Sequence, residues 1–411
     1  MNKYVKRAIK VIASLLIFAV IFERLFGVHG AMKMGKEVKN VPYYNTFNDL
    51  PKNSIDGIVV GNSIAHRGFS DVTAWNDTGA AVYSLATESQ PIVLTKYIIE
   101  EALKTQDVKF VVVELHGIRK NIFYYQNEAF IRRVTDTMPM SANKVNAVKA
   151  ACDYYDKLWD YEDVVKEKSK PEKIDESSLY FPFVKYHSKW KDLSTDDFTD
   201  RKSLTMSTYA GKNMCQVVRH NPMNKPDIYG YTAEAGGLDE YRIEVLKDML
   251  DYLKEQDFKK IFVSFPSMLS KEEQMELNQS MQIINDYNCD KFSICNMNTE
   301  SIYTSKNEEE NSKLQFDWSS DLYGMVHVNS KGNIKTTRYL MDFIKERVDI
   351  KDKRGSEEYK VWDDAYRTYK KLWDAAWKEA YTRDTGKNYI KAGGWTKKSW
   401  SKFKKKVLNI K

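Results

Sequence analysis

Residues 57–63 read Gly-Ile-Val-Val-Gly-Asn-Ser, and this stretch decides the fold. Its continuous apolar run predicts a short β-strand buried on both faces, as in a parallel sheet covered by helices. The Gly61-Asn62 dipeptide predicts a turn at the carboxyl end of that strand. Ser63 would then lie at the edge of the sheet where α/β proteins bind ligands, although capping a helix is the simpler role for such a serine.

Apolar strands and amphipathic helices alternate along the chain after this stretch. Short apolar runs predict three further strands, at residues 80–85, 110–113 and 261–266. Apolar residues at helical spacing predict helices at residues 91–104, 144–158, 238–255 and 335–348. We therefore predict an α/β fold, a three-layer α/β/α sandwich with a mostly parallel central sheet of flavodoxin-like type.

Residues 120–230 interrupt this alternation. They combine helical patches, a Lys/Glu-rich spacer at 166–176 and the aromatic stretch Tyr-Phe-Pro-Phe at 180–183. The aromatic density favours a packed helical lid over the strand ends, although a plain surface excursion also fits. We take residues 53–350 as one domain that contains this lid.

The N-terminus has the pattern of a membrane signal. Residues 1–10 form a basic segment, and an apolar run follows from Val11 to Phe22. We predict a signal anchor that forms a transmembrane helix over residues 11–28, with residues 29–52 as a linker. The basic flank places residues 1–10 in the cytoplasm and the body outside the cell membrane, as a single-pass protein. A cleavable signal peptide remains an alternative, but no convincing A-x-A site follows the run.

The charge of the chain is concentrated at its two ends. Lys and Arg total 64 and Asp and Glu total 57, which gives a net charge of +7. Residues 1–40 carry a net +6 and residues 355–411 a net +8, so residues 41–354 carry −7. A nucleic-acid-binding domain needs its basic surface on the folded body, so nucleic acid is not an expected partner. The hydrophobic content of 42% excludes a chain that is disordered throughout.

Cysteine is scarce in this chain. The four residues are Cys152, Cys215, Cys289 and Cys295. They form no CxxC pair and no zinc-finger spacing with histidine, so we predict no metal site and no cofactor. Cys289 and Cys295 are close enough in sequence to pair, but unpaired thiols are favoured.

A candidate base for Ser63 lies near the end of the domain, in the stretch Asp321-Leu-Tyr-Gly-Met-Val-His327-Val-Asn-Ser-Lys-Gly. A serine hydroxyl is a weak nucleophile at neutral pH and needs a base, and histidine has a suitable pKa. A carboxylate such as Asp321 can hold the imidazole in the required tautomer. Any single histidine is more often an ordinary surface residue, so the combination with Ser63 carries the prediction.

Six segments in chain order also resemble a known family. They are IVVGNSIAHRGF (58–69), GAAVYSLATESQP (79–91), FVVVELHG (110–117), YFPFVKYHSKW (180–190), IFVSFPS (261–267) and HVNSKGNIKTTRYL (327–340). Together they resemble the SGNH/GDSL hydrolase superfamily, in its membrane-anchored branch near surface-polymer acyltransferases. That branch includes relatives of alginate O-acetylation proteins and of the teichoic-acid D-alanyl-transfer protein. The resemblance implies Ser63 as nucleophile, His327 as base and a membrane-bound acyl exporter as partner.

Two departures from the family pattern affect the predicted site. Relatives usually carry an aspartate three residues before the histidine, where this chain has Gly324, so Asp321 is the nearest substitute and Asp317 another. The expected third-block asparagine is also missing, because Glu114 follows the strand at 110–113.

An oxyanion hole would therefore rely on backbone N–H groups near Ser63 and in the loop after Leu85, with Asn62 and Gln90 as candidate amide donors. A place at the start of a helix is an equally good role for Gln90. In the predicted lid, His187 and Trp190 are candidates for substrate contact, for example with a sugar ring stacked on the indole. Packing beneath the lid is an equally good role for His187 and Trp190.

Residues 351–411 form an aromatic and basic tail. Aromatic residues recur at helical spacing and predict a helix from Ser356 to Tyr381. A Gly-Gly hinge at 393–394 and a basic end follow. Two roles fit this tail: the helix docks back on the domain, or the tail attaches to an anionic surface of lipid headgroups or wall polymer.

Two functions fit these residues. The first is an extracytoplasmic, membrane-anchored SGNH-type serine O-acyltransferase or esterase that modifies a cell-surface polysaccharide or wall polymer. The second is a catalytically degenerate module of the same fold that binds surface polymer or partner proteins without turnover. The geometry around His327 distinguishes them, because an enzyme needs Ser63 beside one ring nitrogen.

Overall fold

The computed structural model describes residues 3–26, 47, 50–158, 174–192, 231–304, 312–318, 321–323, 326–367 and 370. The chain forms two compact units. The first comprises Met1–Leu50 and Gln126–Leu204, and the second comprises Pro51–Tyr125 and Thr205–Lys411. The second unit contains all the described strands.

The described elements follow in chain order. The strands are β1 Gly57–Val60, β2 Val82–Ser84, β3 Phe110–Glu114, β4 Lys259–Ser264, β5 Phe292–Asn296, β6 Leu322–Tyr323 and β7 His327–Val328. The helices of the first unit are α1 Lys3–Phe26, α6 Glu128–Thr135, α7 Ala142–Lys157, α8 Glu176–Tyr180 and α9 Phe183–Tyr186. Those of the second unit are α2 Ser63–Gly68, α3 Asp71–Thr78, α4 Thr95–Leu103, α5 Lys120–Phe123, α10 Glu240–Lys254, α11 Lys271–Asp286, α12 Glu300–Thr304 and α13 Ser330–Lys345. Short 3₁₀ helices cover Ile92–Leu94, His116–Ile118, His187–Asp192, Ser312–Leu314 and Glu357–Tyr359.

The central sheet has five parallel strands in the order β2-β1-β3-β4-β5. Strand β1 lies between β2 and β3, so that Gly57 is opposite both Val82 and Phe110. Gly57 has no side chain, which lets the Phe110 ring pack directly against it. From β1 the chain goes to β2 on one side and then returns to β3 on the other side, so the strand order changes direction at β1. In open α/β sheets, a ligand crevice forms at such a point, at the carboxyl ends of the strands.

Both faces of the sheet are buried. On one face, Val59, Val112 and Ile261 belong to a core cluster that also contains Leu340 and Ile344 of α13. The residues that alternate with them along the strands are equally inaccessible to solvent: Ile58, Val60, Val111, Val113 and Phe262. Since successive side chains of a strand point to opposite faces, the predicted α/β fold with a parallel sheet is confirmed.

The predicted strands and helices differ from the observed ones mainly at their ends. The strands predicted at residues 57–60 and 110–113 are present, and that predicted at 80–85 is shortened to β2. The strand predicted at 261–266 begins two residues earlier, because Lys259 and Lys260 pair with the start of β3. The final helix begins at Ser330 rather than at 335, because Asn329 caps it.

A buried arginine on α6 connects three helices of the first unit. Arg132 donates to the Ser178 carbonyl oxygen at 2.9 Å and lies 3.3 Å from the Asp136 carboxylate. It also bonds to Glu128 at 2.5 Å, and Lys185 of α9 reaches the same carboxylate. These bonds join α6, α8 and α9 within the segment that the sequence predicted as a lid.

The transmembrane helix predicted over residues 11–28 is not found among the described residues. Helix α1 extends from Lys3 to Phe26, and no described helix combines the length and the apolar character that crossing a membrane requires. The reason is that the apolar run lasts only from Val11 to Phe22, with Lys10 before it and Glu23 after it.

The start of the C-terminal tail packs against α3 within the second unit. Trp362 is 1% exposed and stacks on Trp75 of α3, with ring centroids 5.7 Å apart. The Trp75 indole N–H donates to Asp363 at 2.9 Å, and Lys353 pairs with buried Asp56 at 2.8 Å. Residues 360–367 are helical, and the rest of the helix predicted to end at Tyr381 lies outside the described residues, apart from residue 370.

Cys289 and Cys295 do not form the disulfide that their spacing allowed. Both carry free thiols. Cys295 on β5 is 1% exposed, and burial raises the pKa of its thiol to about 12, so it remains protonated. Cys215 lies outside the described residues.

Candidate active site

The turn between β1 and α2 presents Ser63 at the carboxyl edge of the sheet. Gly61 has a φ of +151°, and a Cβ there would lie 2.5 Å from Cβ of Glu114, so only glycine fits. Asn62 caps α2, with its Oδ1 accepting from the Ile64 N–H at 2.8 Å. Ser63 is therefore the first residue of α2, and Asn62 has the capping role that the sequence also allowed for Ser63.

His327 is held by a small hairpin and a helix cap. It lies in β7, which pairs antiparallel with β6 so that His327 is opposite Tyr323. Asn329 follows at once, and its Oδ1 accepts from the N–H groups of Lys331 and Gly332 to begin α13. Its own N–H donates to the Asp321 carbonyl at 2.8 Å, which closes the loop that carries His327.

Side chains of α13 fix the helix that carries Ser63. Asn333 donates through Nδ2 to the Arg67 carbonyl oxygen at 2.6 Å, and Thr336 donates to the Gly68 carbonyl oxygen at 2.6 Å. Both donors are fully buried. Ser63 and His327 are far apart in the chain. These two bonds hold α2, which begins at Ser63, against α13, which follows His327.

Ser63 and His327 are in hydrogen-bond contact. His327 Nε2 lies 2.8 Å from Ser63 Oγ. If Nε2 accepts the hydroxyl proton, the neutral ring carries its own proton on Nδ1. Both side chains are half-buried, so the pair borders a solvent-accessible region. This arrangement suits removal of a proton from the serine as the oxygen attacks an acyl carbon.

The surroundings of His327 keep its ring neutral. Burial lowers the pKa of His327 to about 3, and the positive charges of Arg67 and Arg119 act in the same direction. The neutral ring is the form that accepts a proton, but the same surroundings disfavour the imidazolium that forms on acceptance. A negative tetrahedral intermediate beside the ring would offset that effect, since an opposite charge favours the protonated imidazole.

Asp321, which the sequence proposed as orienting residue, is completely buried and held by lysines. Its Oδ2 lies 2.9 Å from Nζ of Lys335, and its Oδ1 lies 3.3 Å from Nζ of Lys331. Oδ2 also accepts from the Asp317 N–H at 2.8 Å. No hydrogen bond joins a described carboxylate to His327, so the orienting role of Asp321 stays a prediction.

The side-chain amides of Asn62 and Gln90 each have a buried donor that makes no hydrogen bond to a described residue. Asn62 and Gln90 are each 2% exposed, and neither Asn62 Nδ2 nor Gln90 Nε2 has a hydrogen-bond partner among the described residues. Gln90 follows β2 in a loop that is tied to the Gly61–Ser63 turn by the Thr87 N–H, which donates to the Gly61 carbonyl oxygen at 3.1 Å. Buried donors without partners are costly, so a ligand oxygen that accepts from them would be favoured.

Glu114, which follows the apolar run of β3, was not predicted as a site residue. It is 2% exposed, and its carboxylate accepts from the backbone N–H groups of Asn62 and His116. His116 in turn contacts Ser264 Oγ through Nε2 at 2.9 Å. The signal in the sequence was a charged residue that ends a fully apolar strand, since such a residue is rarely buried without partners.

The remaining candidates are less closely defined. His187 is exposed, and its Nδ1 donates to the Val184 carbonyl oxygen at 2.7 Å. His187 and Trp190 belong to the first unit, and their contact with substrate stays a prediction. Gly324 lies outside the described residues.

Comparison with known proteins adds no relative to this picture. No protein-family model matches the chain, and no curated protein matches it.

Proposed function

We propose that the protein is a serine O-acyltransferase or esterase of SGNH type. The observation that carries the proposal is the 2.8 Å contact between Ser63 Oγ and His327 Nε2 at the carboxyl edge of a parallel sheet. The neutral state of His327 supports the role of base, and the strand reversal at β1 supports a ligand crevice beside Ser63.

The proposed reaction has two half-reactions. In the first, His327 Nε2 takes the proton of Ser63 as Oγ bonds to the acyl carbon of the donor. The tetrahedral intermediate then collapses, the bond to the donor's leaving atom breaks, and His327 gives its proton to that atom. In the second, a hydroxyl group attacks the acyl carbon of the acyl-Ser63 ester and His327 takes the hydroxyl proton. The bond between the acyl carbon and Ser63 Oγ then breaks, and Oγ recovers the proton from His327. Water as acceptor gives a free acid, so the protein is an esterase, and a polymer hydroxyl gives a new ester, so it is a transferase.

The negative oxygen of the intermediate needs donors that are already in place. Asn62 Nδ2 and Gln90 Nε2 support this part of the proposal, because both are buried and unpartnered in the described part of the site. The Ser63 N–H lies at the start of α2, where an N–H has no partner within the helix. Loss of one such donor typically lowers the rate by about 10²-fold to 10³-fold.

The wider setting of the proposal comes from the family resemblance. It comprises a three-layer α/β/α sandwich with a helical lid, and a cell-surface polysaccharide or wall polymer as acceptor. It also comprises a membrane-bound acyl exporter as the source of the acyl group, and an extracytoplasmic location at the cell membrane. The basic N-terminal residues followed by an apolar run support that location.

A fluorophosphonate probe tests the serine chemistry directly. The full-length protein should be labelled at Ser63, and Ser63→Ala should abolish labelling. Ser301→Ala removes an exposed serine from α12 and serves as the matched control, with labelling unchanged. An intact protein that is not labelled at Ser63 would instead support the degenerate binding module, which predicts polymer binding without turnover.

A further inference from the structure

We infer that Glu114 is a positioning residue for the proposed reaction, and that its ionised carboxylate holds the Gly61-Asn62-Ser63 turn in the geometry for attack. This inference rests on the proposed function of Ser63. The role is distinct from those of the nucleophile and the base, because Glu114 contacts the backbone of the turn and not the reacting atoms.

The carboxylate of Glu114 joins two backbone segments at the site. Oε2 accepts from the Asn62 N–H at 3.3 Å, and Oε1 accepts from the His116 N–H. Asn62 immediately precedes the proposed nucleophile, and His116 follows β3. An ionised carboxylate has an acceptor oxygen for each N–H, whereas a protonated one turns one of its oxygens into a donor. Protonation of Glu114 therefore removes one of the two ties.

Close packing makes the turn depend on this side chain. A Cβ at Gly61 would lie 2.5 Å from Cβ and 3.1 Å from Oε2 of Glu114, so the turn rests directly on the glutamate. Asn62 is also 2% exposed, and its Oδ1 caps the start of α2 by accepting from the Ile64 N–H. A shift of the carboxylate therefore moves the residue that aligns Ser63 with His327, and misplacement by about 1 Å can cost about 10²-fold in rate.

Burial and the groups around Glu114 place the titration of its carboxyl group near neutral pH. Burial raises the pKa of Glu114 to about 7, while the two backbone N–H groups and the positive charge of Arg119 lower it. The turn contributes only neutral N–H groups. Burial holds the pKa of His116 well below its ordinary value and that of His327 at about 3, so neither histidine changes charge near neutrality. Attack by Ser63 should then weaken as the pH falls through about 7.

The test measures the second-order rate of fluorophosphonate labelling of the full-length protein between pH 5 and 9. In the unaltered protein the rate should fall below pH 7. Glu114→Gln places an amide NH₂ against one of the two N–H groups, and it should lower the rate at pH 8 by about tenfold or more. It should also remove the dependence on pH near 7. Glu114→Asp keeps the charge and should retain a fall in rate at acid pH.

The control is Glu101→Gln, which neutralises a buried glutamate of α4 away from the turn, and it should leave the profile unchanged. A merely structural role for Glu114 would scale the rate at every pH and leave the shape of the profile intact, which would overturn the inference. So would a Glu114→Gln protein with the unaltered rate and profile. If Glu114→Gln does not fold, the Glu114→Asp profile decides, because a profile with no fall in rate at acid pH contradicts the inference. Absence of labelling in the unaltered protein defeats the proposed function itself.

Discussion

Neutralising Asp321 should destabilise the protein without slowing the chemistry of Ser63. The Asp321 carboxylate is completely buried between Lys331 and Lys335, whose side chains are 16% and 14% exposed. Removing one partner of a buried ion pair costs about 3–5 kcal/mol. Because both lysines keep some access to water, and an amide oxygen still accepts from the Asp317 N–H, we expect Asp321→Asn to cost about 3 kcal/mol, the lower end of that range.

The effect on chemistry separates a structural aspartate from an orienting one. An aspartate that orients a catalytic histidine is worth about 10⁴-fold in rate. Asp321 has no described bond to His327, so the labelling rate of folded Asp321→Asn should stay within about threefold of the unaltered rate, which corresponds to about 0.65 kcal/mol. Guanidinium unfolding followed by tryptophan fluorescence measures the stability, and fluorophosphonate labelling below the unfolding transition measures the chemistry.

Asp342→Asn provides the matched control, since it neutralises an exposed aspartate on the same helix and should change stability by less than about 0.5 kcal/mol. If Asp321→Asn leaves the unfolding curve unchanged and slows labelling by 10³-fold or more, a purely structural role for Asp321 is refuted. That result would assign Asp321 to the orientation of His327 after all.

Two further changes test the packing around the sheet. Burial raises the pKa of Asp71 from 3.8 to about 7, so the free energy of unfolding should fall as the pH rises from about 4 to 7. Above pH 7, Asp71→Asn should raise the free energy of unfolding by at most about 4 kcal/mol in guanidinium denaturation. Near pH 4 the substitution should give no gain. Exposed Asp107→Asn is the control, and an equal gain at both pH values contradicts the argument. Trp362→Ala removes an indole that is 1% exposed, and it should lower the free energy of unfolding by about 3–5 kcal/mol in thermal denaturation. Val361 is 40% exposed, so Val361→Ala should have little effect. Equal effects of the two substitutions would contradict docking of Trp362.

The sheet was largely predictable, and its exceptions have physical reasons. Strands β1 and β3 are continuous apolar runs with both faces buried, which is the clearest signal for a parallel strand. Strand β5 was missed because it lies at the edge of the sheet and most of its residues are only half-buried. Helix α11 was also missed, although Ser270 and Glu273 form the capping box that marks its start.

The pair at the site was predictable, while its supporting contacts were not. Ser63 and His327 could be paired because a serine that follows a buried strand needs a base, and the stretch that contains His327 comes just before the final helix of the domain. The contacts of Asp321 depend on the register of α13, which brings Lys331 and Lys335 onto one face of the helix. Spacing from His327 alone favoured an orienting role and gave no sign of this competition for the carboxylate.

The docked beginning of the tail decides where the chain can be cut. A truncation after residue 355 would remove Trp362 and Asp363 and leave the Trp75 indole exposed, without its hydrogen-bond acceptor. Loss of polymer binding in such a shortened protein would then report a damaged body as readily as a missing basic end. A cut after residue 367 keeps Ala365, which is 2% exposed, together with the aromatic stack. Any binding assigned to the tail should therefore be measured against a protein shortened at that later point.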